Sequence, residues 1–317
     1  ILTEGVSLNG GHLQLPDGSS VLNDLDDART RSGLEPWFGP ALKGGMVMHG
    51  GFFLGPESFY QRLRDLDDET RAAINMTRIG FVNHLYGDEE LKRLQRRDAR
   101  FMNTAFTVTL LGAAVSDQID DGRVLSGVGG QYNFVSQGQE LAGGRSALML
   151  RAWRARDGEA QSNIVFSYPH NTIPRHLRDL VITEYGVADL RGKTDEEVVM
   201  AMLNIADSRF QDDLARQAQQ AGKLRPGYRV PEPFRNNTPE RLRQVYDQAD
   251  DGAFPSFPLG TDFDATEQRL IGALTWLKER LGHRDYLELG RQALGRHASA
   301  EQYRGELERM GPQWRSR

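Results

Sequence analysis

The sequence predicts an α/β fold in which a mixed, largely parallel sheet is flanked by helices. Short apolar or alternating runs, typical of strands, occur at residues 145–153, 162–168 and 180–184, each bounded by Gly, Pro or Asn. Helical patterns with one apolar face also recur along the chain. Because strand and helix patterns alternate, we expect helices to cover the faces of a sheet.

The strands expected in the first half of the chain include residues 46–49 and 106–115. The second run is almost wholly apolar and predicts a strand buried on both faces; a further strand is expected to end at Leu125. Residues 88–101 have the spacing of a helix, with acidic and basic side chains four residues apart. The basic run 96–100 is interpreted as the solvated face of this helix rather than as a nucleic-acid patch.

Helices dominate the predicted C-terminal third. Thr194 and Glu197 have the spacing of a capping box, which predicts the start of a helix. A second helix is expected over 208–221. The density of Pro, Asn and Gly at 226–258 is typical of an irregular surface segment, and helical periodicity returns at 270–281.

The composition limits the possible classes of function. The chain has 317 residues, 38% of them hydrophobic, a net charge of -5 and no cysteine. The negative charge argues against nucleic-acid binding, and no apolar run reaches the ~20 residues of a membrane-spanning helix. Without cysteine there is no disulfide or thiol nucleophile, and a cytoplasmic location is expected. His170 and His176 lack metal-ligand spacing, so no metal site is predicted.

The glycine loop, residues 126–131 with the sequence Ser-Gly-Val-Gly-Gly-Gln, is the most informative segment. Gly127, Gly129 and Gly130 lack Cβ atoms, so the backbone can turn sharply and aim successive N–H groups at an anion. This arrangement suits a phosphate or a developing oxyanion. A tight connection between a strand and a helix is the alternative interpretation of the same glycines.

A second motif, residues 183–193, has the sequence Thr-Glu-Tyr-Gly-Val-Ala-Asp-Leu-Arg-Gly-Lys and follows an apolar run. Together with the glycine loop, this 183–193 block resembles the acetyl-CoA hydrolase/transferase family, the class I CoA-transferase group that includes acetate and 4-hydroxybutyrate CoA-transferases. In that family a Gly-x-Gly-Gly-Gln loop and a Thr-Glu-Tyr-Gly-x-Ala-x-Leu-Arg-Gly block occur in this order. The resemblance runs from about residue 44 to about residue 260 and includes residues 96–104.

The resemblance implies a CoA-transferase-like C-terminal domain that acts on short-chain acyl-CoA and small carboxylates. In the implied mechanism a glutamate carboxylate attacks the thioester, and the resulting anhydride reacts with the CoA thiolate to give a glutamyl-CoA thioester. An acceptor carboxylate then resolves this intermediate. The CoA thioester is a substrate, and no permanently bound cofactor is expected. The acyl group, the acceptor, and the choice between hydrolase and transferase stay open.

The same resemblance assigns roles in and after the glycine loop. Gly129 and Gly130 are expected to donate backbone hydrogen bonds to the oxyanion. Gly127 is expected to make the turn, and Gln131 to lie close to the thioester. Asn133 is expected to contact the substrate or CoA.

The segment around His170 is the second expected CoA contact. In related enzymes the matching region lies near the CoA and the glycine loop, which assigns His170, Asn171 and Arg175 to CoA binding. Arg175 offers the planar fork that phosphate oxygens accept. The alternative is that the histidines are polar loop residues or helix caps.

The nucleophilic glutamate is expected upstream of residue 1, since the family's nucleophile stands shortly before the stretch that matches the start of this chain. The chain is therefore interpreted as the C-terminal part of an enzyme. Glu184 is the weaker alternative nucleophile, because its carboxylate can equally accept backbone hydrogen bonds or pair with Arg191 or Arg175. Glu4 is discounted because it falls after the expected position.

Three parts are expected along the chain. Residues 1–44 are interpreted as an N-terminal strap or the remnant of a preceding domain, 45–264 as the CoA-transferase-like α/β domain, and 265–317 as a helical C-terminal extension. The chain is expected to form a homo-oligomer or to associate with the N-terminal part of the enzyme. Two other functions stay open: a non-catalytic CoA- or nucleotide-binding module, and a structural or oligomerisation domain.

Overall fold

The computed structural model describes residues 5–39, 42, 44–156, 158–249, 253–258, 260–281 and 303–310. These residues form two compact units, the first drawn from Ile1–Phe52 and Ala72–Ala249 and the second from Phe53–Arg71 and Asp250–Arg317. Glu4 lies outside the described residues. The division into the three parts expected from the sequence stays a prediction.

Short strands and helices make up the described part of the chain. The strands are β1 (Ser7–Asn9), β2 (His12–Gln14), β3 (Ser20–Leu22), β4 (Met48–Gly50), β5 (Ile74–Met76), β6 (Arg100–Thr104), β7 (Thr107–Thr109), β8 (Ala114–Val115), β9 (Arg145–Met149), β10 (Trp153–Arg156), β11 (Glu159–Ser162), β12 (Ile164–Val165), β13 (Leu180–Thr183) and β14 (Gly186–Asp189). The helices are α1 (Ala28–Leu34), α2 (Glu57–Arg64), α3 (Asp68–Ala72), α4 (Ile79–Asn83), α5 (Glu89–Gln95), α6 (Gln131–Glu140), α7 (Asp195–Asn204), α8 (Ser208–Gln220), α9 (Pro239–Asp247), α10 (Ala265–Leu281) and α11 (Arg304–Met310). Among these described helices, none combines the length and apolar character needed to cross a membrane.

The largest sheet of the first unit has four strands in the order β14-β13-β9-β6. The strands β6, β9 and β13 run parallel, whereas β14 pairs antiparallel with β13. Helix α6 packs on β6 and β9, and α7 packs on β14. A second sheet, in the order β12-β7-β8, again combines a parallel and an antiparallel pair. The predicted α/β fold, with a mixed and largely parallel sheet flanked by helices, is confirmed.

The apolar core of the first unit joins both sheets to α7 and α8. Val108 from β7 and Leu148 from β9 belong to the same buried cluster as Met202 from α7. Helix α7 begins at the predicted capping box, in which the Glu197 N–H donates to Thr194 Oγ1 and the Glu197 carboxylate accepts from the Thr194 N–H. Local capping and burial of one face therefore explain why this helix forms.

Residues 106–115 form a tight hairpin, so the prediction of a single buried strand is wrong. The arms β7 and β8 pair antiparallel, and Gly112, with a φ of +85°, lies in the turn between them. Val108, Leu110 and Ala114 are fully buried. Because both arms and the turn lie in the core, the run has the composition of one buried strand.

The helix expected over residues 88–101 ends at Gln95, and the second half of that prediction is wrong. The chain turns after α5, with Asp98 at a φ of +55°, and then enters β6. Residues of β6 alternate between exposed and partly buried positions, which is the period of a strand. The basic run 96–100 is therefore not a helix face. The Arg96 guanidinium turns inward and donates to the side-chain oxygen of Gln137 on α6.

The segment 226–258 contains a helix, α9, that the prediction of an irregular segment missed. Thr238 Oγ1 accepts from the Arg241 N–H at 3.2 Å, and Pro239 occupies the first helical position. Pro at this position is common because its missing N–H has no partner in a helix. The density of Pro and Asn around α9 hides a short helical pattern.

Helices α10 and α11 belong to the second unit and are joined by ion pairs. Arg269 Nε lies 2.7 Å from Glu306 Oε1, and an Arg309 amino group lies 2.9 Å from Asp264 Oδ2. The helical periodicity predicted over residues 270–281 falls within α10 and is confirmed.

Candidate functional site

The glycine loop lies at the N-terminal end of α6. Gly130 is the N-cap residue of this helix, and Gly129 has a φ of +61°, a left-handed conformation that favours glycine. The N–H groups of a helix's first turn have no partner inside the helix, so those of α6 point out of the end that carries the loop. This end of α6 has the positive partial charge and the donors that attract an anion.

The space around the three loop glycines differs. A Cβ atom on Gly127 or Gly129 would have no heavy atom within 4 Å beyond its chain neighbours, whereas one on Gly130 would lie 2.8–2.9 Å from side-chain atoms of Asn83. Gly127 and Gly129 are also exposed. The loop is therefore open at its first two glycines and packed at its third.

A short hairpin over residues 116–126 carries the glycine loop, and the strand expected to end at Leu125 is not present. The arms are linked by an isolated β-bridge between Gln118 and Val124 and by backbone hydrogen bonds such as that from the Leu125 N–H to the Asp117 carbonyl at 2.7 Å, and Leu125 is 54% exposed. Ser126 closes the hairpin: its Oγ donates to the Ser116 carbonyl at 3.1 Å. The apolar residues at the end of this segment, Val124 and Leu125, lie on its exposed surface.

Gln131, the first residue of α6, is buried with an unpaired acceptor. Its side chain is 7% exposed, and Nε2 donates to the Thr104 carbonyl at 2.7 Å. Its Oε1 has no hydrogen-bond partner among the described residues. A buried acceptor without a donor costs about 1–3 kcal/mol, so a donor supplied by a ligand would stabilise this position. Asn133, two residues further along α6, is half-buried.

The segment of His170 packs against the hairpin that carries the glycine loop. His170 Nε2 lies 2.8 Å from the Ile119 carbonyl, and the Ser116 N–H donates to Thr172 Oγ1 at 2.9 Å. The Thr172 hydroxyl also hydrogen-bonds the Asp117 carboxylate. The segment thus contacts the hairpin that leads to the loop, and His170 itself is held by a backbone carbonyl. Asn171 is exposed.

Arg175 lies in an ion-pair cluster around Asp195, at the N-terminus of α7. It lies 3.0 Å from Asp195 Oδ1, which also pairs with Arg178, while Lys223 lies 3.1 Å from Oδ2. The hydrogen bond from Lys223, followed by that from Arg178, lowers the pKa of Asp195 below its ordinary value. Although it pairs with Asp195, the Arg175 side chain is 56% exposed and can be reached from solvent. Its contact with a CoA phosphate stays a prediction.

Glu184 accepts a backbone hydrogen bond, one of the structural roles that the sequence left open. Its Oε2 accepts from the Ala152 N–H at 2.8 Å. The alternative partners are engaged elsewhere: Arg191 pairs with Asp179 and Arg175 with Asp195. Glu184 therefore fixes the chain between β9 and β10.

Asp179 is the buried carboxylate at the centre of the 183–193 block's contacts, and sequence reasoning missed it. It is 3% exposed and accepts from Arg145 Nε at 2.8 Å, from the Ser146 N–H at 2.7 Å and from an Arg191 amino group at 2.6 Å. Arg191 also donates to the carbonyl of Gly138 in α6. The block thereby joins β9 to the C-terminal half of α6.

Tyr185 has a structural partner as well. Its hydroxyl donates to Asp207 Oδ2 at 2.9 Å, and burial together with this carboxylate raises the pKa of Tyr185 far above its ordinary value. Burial alone would raise the pKa of Asp207, but hydrogen bonds from Arg209 bring it below the ordinary value. Tyr185 therefore stays neutral and Asp207 stays charged.

Two arginine-lined cavities lie beside these elements, and sequence reasoning did not predict them. One, of about 770 Å³, is lined by Glu184, Trp153 and Arg243 among others. The second, of about 510 Å³, borders the hairpin before the glycine loop. Arg151 and Arg154 line both cavities. These guanidinium groups can bind phosphate or carboxylate oxygens. Within the described residues, no group of three or more His, Asp or Glu side chains forms a metal site.

A family model decides the membership of this chain. The acetyl-CoA hydrolase/transferase C-terminal domain matches residues 55–218, just over half of the chain. The chain belongs to this family. The match includes the glycine loop, the 183–193 block, α6 and the central strands.

Curated relatives of this family member are CoA-transferases by name. A 4-hydroxybutyrate coenzyme A transferase from Clostridium kluyveri is 34% identical over 115 residues, which are 36% of this chain and 26% of that relative. A butyryl-CoA:acetate CoA-transferase from Anaerostipes caccae is 27% identical over 175 residues, 54% of this chain and 36% of that relative. The chain thus spans about a third or less of the length of these relatives.

Solved structures similar to this family member include RipA from Yersinia pestis. It is 24% identical, with a TM-score of 0.46, over 55% of this chain and 37% of RipA. A 4-hydroxybutyrate CoA-transferase from Porphyromonas gingivalis is 21% identical, with a TM-score of 0.42, over 55% of this chain and 37% of that protein.

Proposed function

We propose that this chain supplies the CoA-facing C-terminal part of an acyl-CoA hydrolase or CoA-transferase that acts on short-chain acyl-CoA and small carboxylates. The observation that carries the proposal is the glycine loop: two open glycines and a third N-cap glycine lie at the N-terminal end of a helix, in a member of this family. The names of the curated relatives support the substrate class. A CoA thioester is a substrate in this proposal, and no resident cofactor is invoked.

The proposed chemistry begins when a glutamate carboxylate oxygen attacks the thioester carbonyl carbon. A C–O bond forms, the carbonyl oxygen becomes an oxyanion, and the C–S bond breaks to release CoA thiolate and leave an acyl-glutamyl anhydride. The thiolate then attacks the glutamyl carbonyl and displaces the acyl carboxylate, which leaves glutamyl-CoA. An acceptor carboxylate reverses these steps, or water hydrolyses an intermediate.

In each tetrahedral step, we assign oxyanion stabilisation to the backbone N–H groups of Gly129 and Gly130. Loss of one such donor typically costs ~10²–10³ in rate. The buried Oε1 of Gln131 has no donor among the described residues, which supports the proposal that a ligand donates a hydrogen bond beside the loop. Gly127 and Asn133 are proposed to contact the substrate or CoA.

The segment 170–175 is proposed to approach the CoA. It packs on the hairpin that carries the glycine loop through His170, and the neighbouring Asn171 is exposed. Arg175 is the proposed phosphate ligand because its side chain is more than half exposed and a guanidinium matches the geometry of phosphate oxygens.

The nucleophilic glutamate is proposed to come from a segment that is not part of these 317 residues. Two findings support this: the chain spans only about a third or less of its curated relatives, and the Glu184 carboxylate is occupied by the Ala152 N–H. A homo-oligomer, or association with the N-terminal part, completes the site in this proposal. The cysteine-free composition supports a cytoplasmic location.

Covalent trapping tests the reaction. The purified 317-residue chain and a longer parent protein are incubated with acetyl-CoA, treated with borohydride or hydroxylamine, and mapped by mass spectrometry. We expect no modified glutamate in the chain alone and one modified glutamate, outside these residues, in the parent. Modification at Glu184 or Glu4 would move the nucleophile into this chain.

Thermal unfolding with CoA separates the proposal from its two alternatives. A ligand at 100 times its dissociation constant adds about 2.7 kcal/mol to stability. No shift for chain or parent would favour a structural or oligomerisation domain. A shift without any turnover or covalent intermediate in the parent would favour a non-catalytic binding module.

A further inference from the structure

A third cavity, of about 270 Å³, lies in the first unit away from the arginine-lined pair. Its lining includes the cations Lys92 and Arg96, the neutral polar groups of His49 and Gln95, and the aromatic ring of Phe134. The other lining residues are apolar, and no Asp or Glu is among the residues that line it. The residues that line the cavity therefore carry two positive charges and no carboxylate.

Lys92 is the more unusual of the two cations because it is only 3% exposed. A lysine is almost never fully buried unless it is paired. Its Nζ donates to the carbonyls of His84 at 2.9 Å and Tyr86 at 3.0 Å and lies 4.1 Å from the centre of the Phe81 ring. These dipoles solvate the ammonium but do not neutralise its charge.

Arg96 stands one helical turn after Lys92 and also lacks a carboxylate partner among the described residues. Its terminal amino groups donate to the Gln137 side chain and to the Val82 carbonyl at 3.1 Å, and within the described residues its Nε–H has no hydrogen-bond acceptor. Burial lowers the pKa of Arg96. Burial, and then repulsion from Arg96, lowers the pKa of Lys92 as well, against a weaker opposing attraction from Asp88 and Glu89. The two like charges thus repel each other in a site that is partly removed from water.

The neutral polar groups of the cavity are fixed in orientation. His49 Nδ1 lies 3.1 Å from Asn75 Nδ2, which can only donate, and His49 Nε2 lies 3.3 Å from Gln95 Oε1. Gln95 Nε2 donates to the Met46 carbonyl at 2.6 Å. Nδ1 is therefore the acceptor and Nε2 the donor of a neutral imidazole. None of these groups supplies the missing negative charge.

We propose that this cavity binds a small oxyanion, a free short-chain carboxylate or inorganic phosphate, between Lys92 and Arg96. The free Nε–H of Arg96 and the compact ammonium of Lys92 are the donors that such oxygens take. An anion here offsets the cost of burying two like charges. The proposal stands whether or not the chain takes part in CoA transfer.

Titration of the 317-residue chain with acetate, butyrate and phosphate tests the proposal, by calorimetry and by thermal unfolding. Sodium chloride at matched ionic strength corrects for general screening. We expect saturable binding and stabilisation by at least one of these anions. Saturation by acetate or butyrate would identify the ligand as a carboxylate, and saturation by phosphate alone would identify it as phosphate. If no anion stabilises the chain more than chloride, the two cations are structural and the proposal is wrong.

Variants locate the bound anion. Lys92→Met and Arg96→Gln should each weaken anion binding at least tenfold. Arg97→Gln removes the same charge from the neighbouring position, where the side chain is 79% exposed, and should leave the dissociation constant unchanged. Equal loss in Arg97→Gln would overturn the proposal, because binding would then follow net charge.

A labelling experiment keeps the test valid if Lys92→Met does not fold. Reductive methylation of the unmodified chain, with and without the saturating anion, is read residue by residue by mass spectrometry. We expect the anion to protect Lys92 at least tenfold more than Lys223, whose side chain is 41% exposed. Equal protection of the two lysines would show that the anion does not sit at this cavity.

Discussion

The two motifs that carry the family resemblance occupy different environments. In the 183–193 block, Thr183 Oγ1 donates to the Ile205 carbonyl at 2.8 Å, Leu190 is fully buried and Arg191 is bound to Asp179. In the glycine loop, Gly127 and Gly129 are exposed and have open space at their Cβ positions. Thr183, Tyr185 and the terminal amino groups of Arg191 in the block donate hydrogen bonds within the protein, whereas the first two glycines of the loop are presented to solvent.

The two motifs lie at opposite ends of the same helix, α6. The loop precedes the first turn of α6, and Arg191 of the block donates to the Gly138 carbonyl of the same helix and to the Gly144 carbonyl beyond it. A cation near a helix C-terminus is favourable. The block therefore holds the C-terminal end of α6, while Gly127 and Gly129 of the loop leave the backbone open at the other end. Motif similarity alone does not separate these roles; burial and hydrogen bonding do.

The largest expected effect tests the structural role of the block. Asp179→Ala leaves Arg145 and Arg191 without their buried carboxylate and should destabilise the chain by about 3–5 kcal/mol. Denaturant unfolding measures the loss. Asp189→Ala is the control, because Asp189 also pairs with Arg145 but its side chain is 51% exposed; it should cost under about 1 kcal/mol. Equal losses would show that the block is not held by its buried carboxylate.

Substitution of Glu184 tests whether this residue belongs with the block or with the catalytic machinery. Glu184→Ala leaves the Ala152 N–H without its acceptor and should cost about 1–3 kcal/mol. Glu184→Gln keeps an acceptor oxygen and should cost about 0.5 kcal/mol or less. Unfolding measurements give both values. If Glu184→Gln keeps its stability yet abolishes covalent trapping in the parent protein, Glu184 joins the active site.

Alanine at Gly129 tests the conformation of the loop. Its φ of +61° places a side chain in the left-handed region, so Gly129→Ala should cost about 1–2 kcal/mol. Gly127→Ala is the matched control, since its Cβ would meet nothing within 4 Å and its effect should stay within about 0.5 kcal/mol. Denaturant unfolding compares the two. A neutral Gly129→Ala would mean that the loop rearranges freely.

The smallest expected effect concerns ligand affinity. Gly130→Val adds bulk where CoA is proposed to approach and should weaken CoA binding about tenfold, or about 1.4 kcal/mol. Because the new Cβ also meets Asn83, the double variant Asn83→Ala/Gly130→Val should remove that packing conflict while binding stays weak. Calorimetry measures both. Recovery of CoA affinity in the double variant would assign the defect to packing and not to the ligand.

Local patterns predicted the parts of the fold that depend on neighbouring residues. The capping box at Thr194, the apolar run of β13 and the glycine content of the loop each act over a few residues, and the structure has a helix, a strand and a turn there. Predictions failed where distant contacts decide the conformation. The run 106–115 folds into a hairpin because the core covers both arms, and Arg96 turns inward because α6 offers Gln137.

In the candidate site, too, local features could be predicted from the sequence and features that depend on distant contacts could not. The absence of Cβ atoms can be read from the sequence, so the open loop was foreseeable. The arginines at 151 and 154 and the buried Lys92 gain their significance from cavities whose walls come from distant segments. No short-range spacing reports such cavities. A search for basic residues near buried runs would select Arg151, but it would not distinguish it from surface arginines.

The order of Asp179 and Arg191 along the chain has a consequence for biosynthesis. A growing chain that ends at Gly144 already contains the glycine loop and α6, but not the carboxylate or the guanidinium that later fix β9 and the far end of that helix. Such non-local contacts form late because loop closure must precede them. Until synthesis passes residue 183, the edge of β9 that pairs with β13 is open, and until it passes residue 191 the C-terminal end of α6 lacks the Arg191 guanidinium. We expect a polypeptide that stops in this interval to self-associate more readily than the full 317-residue chain, because it exposes an unpaired strand edge.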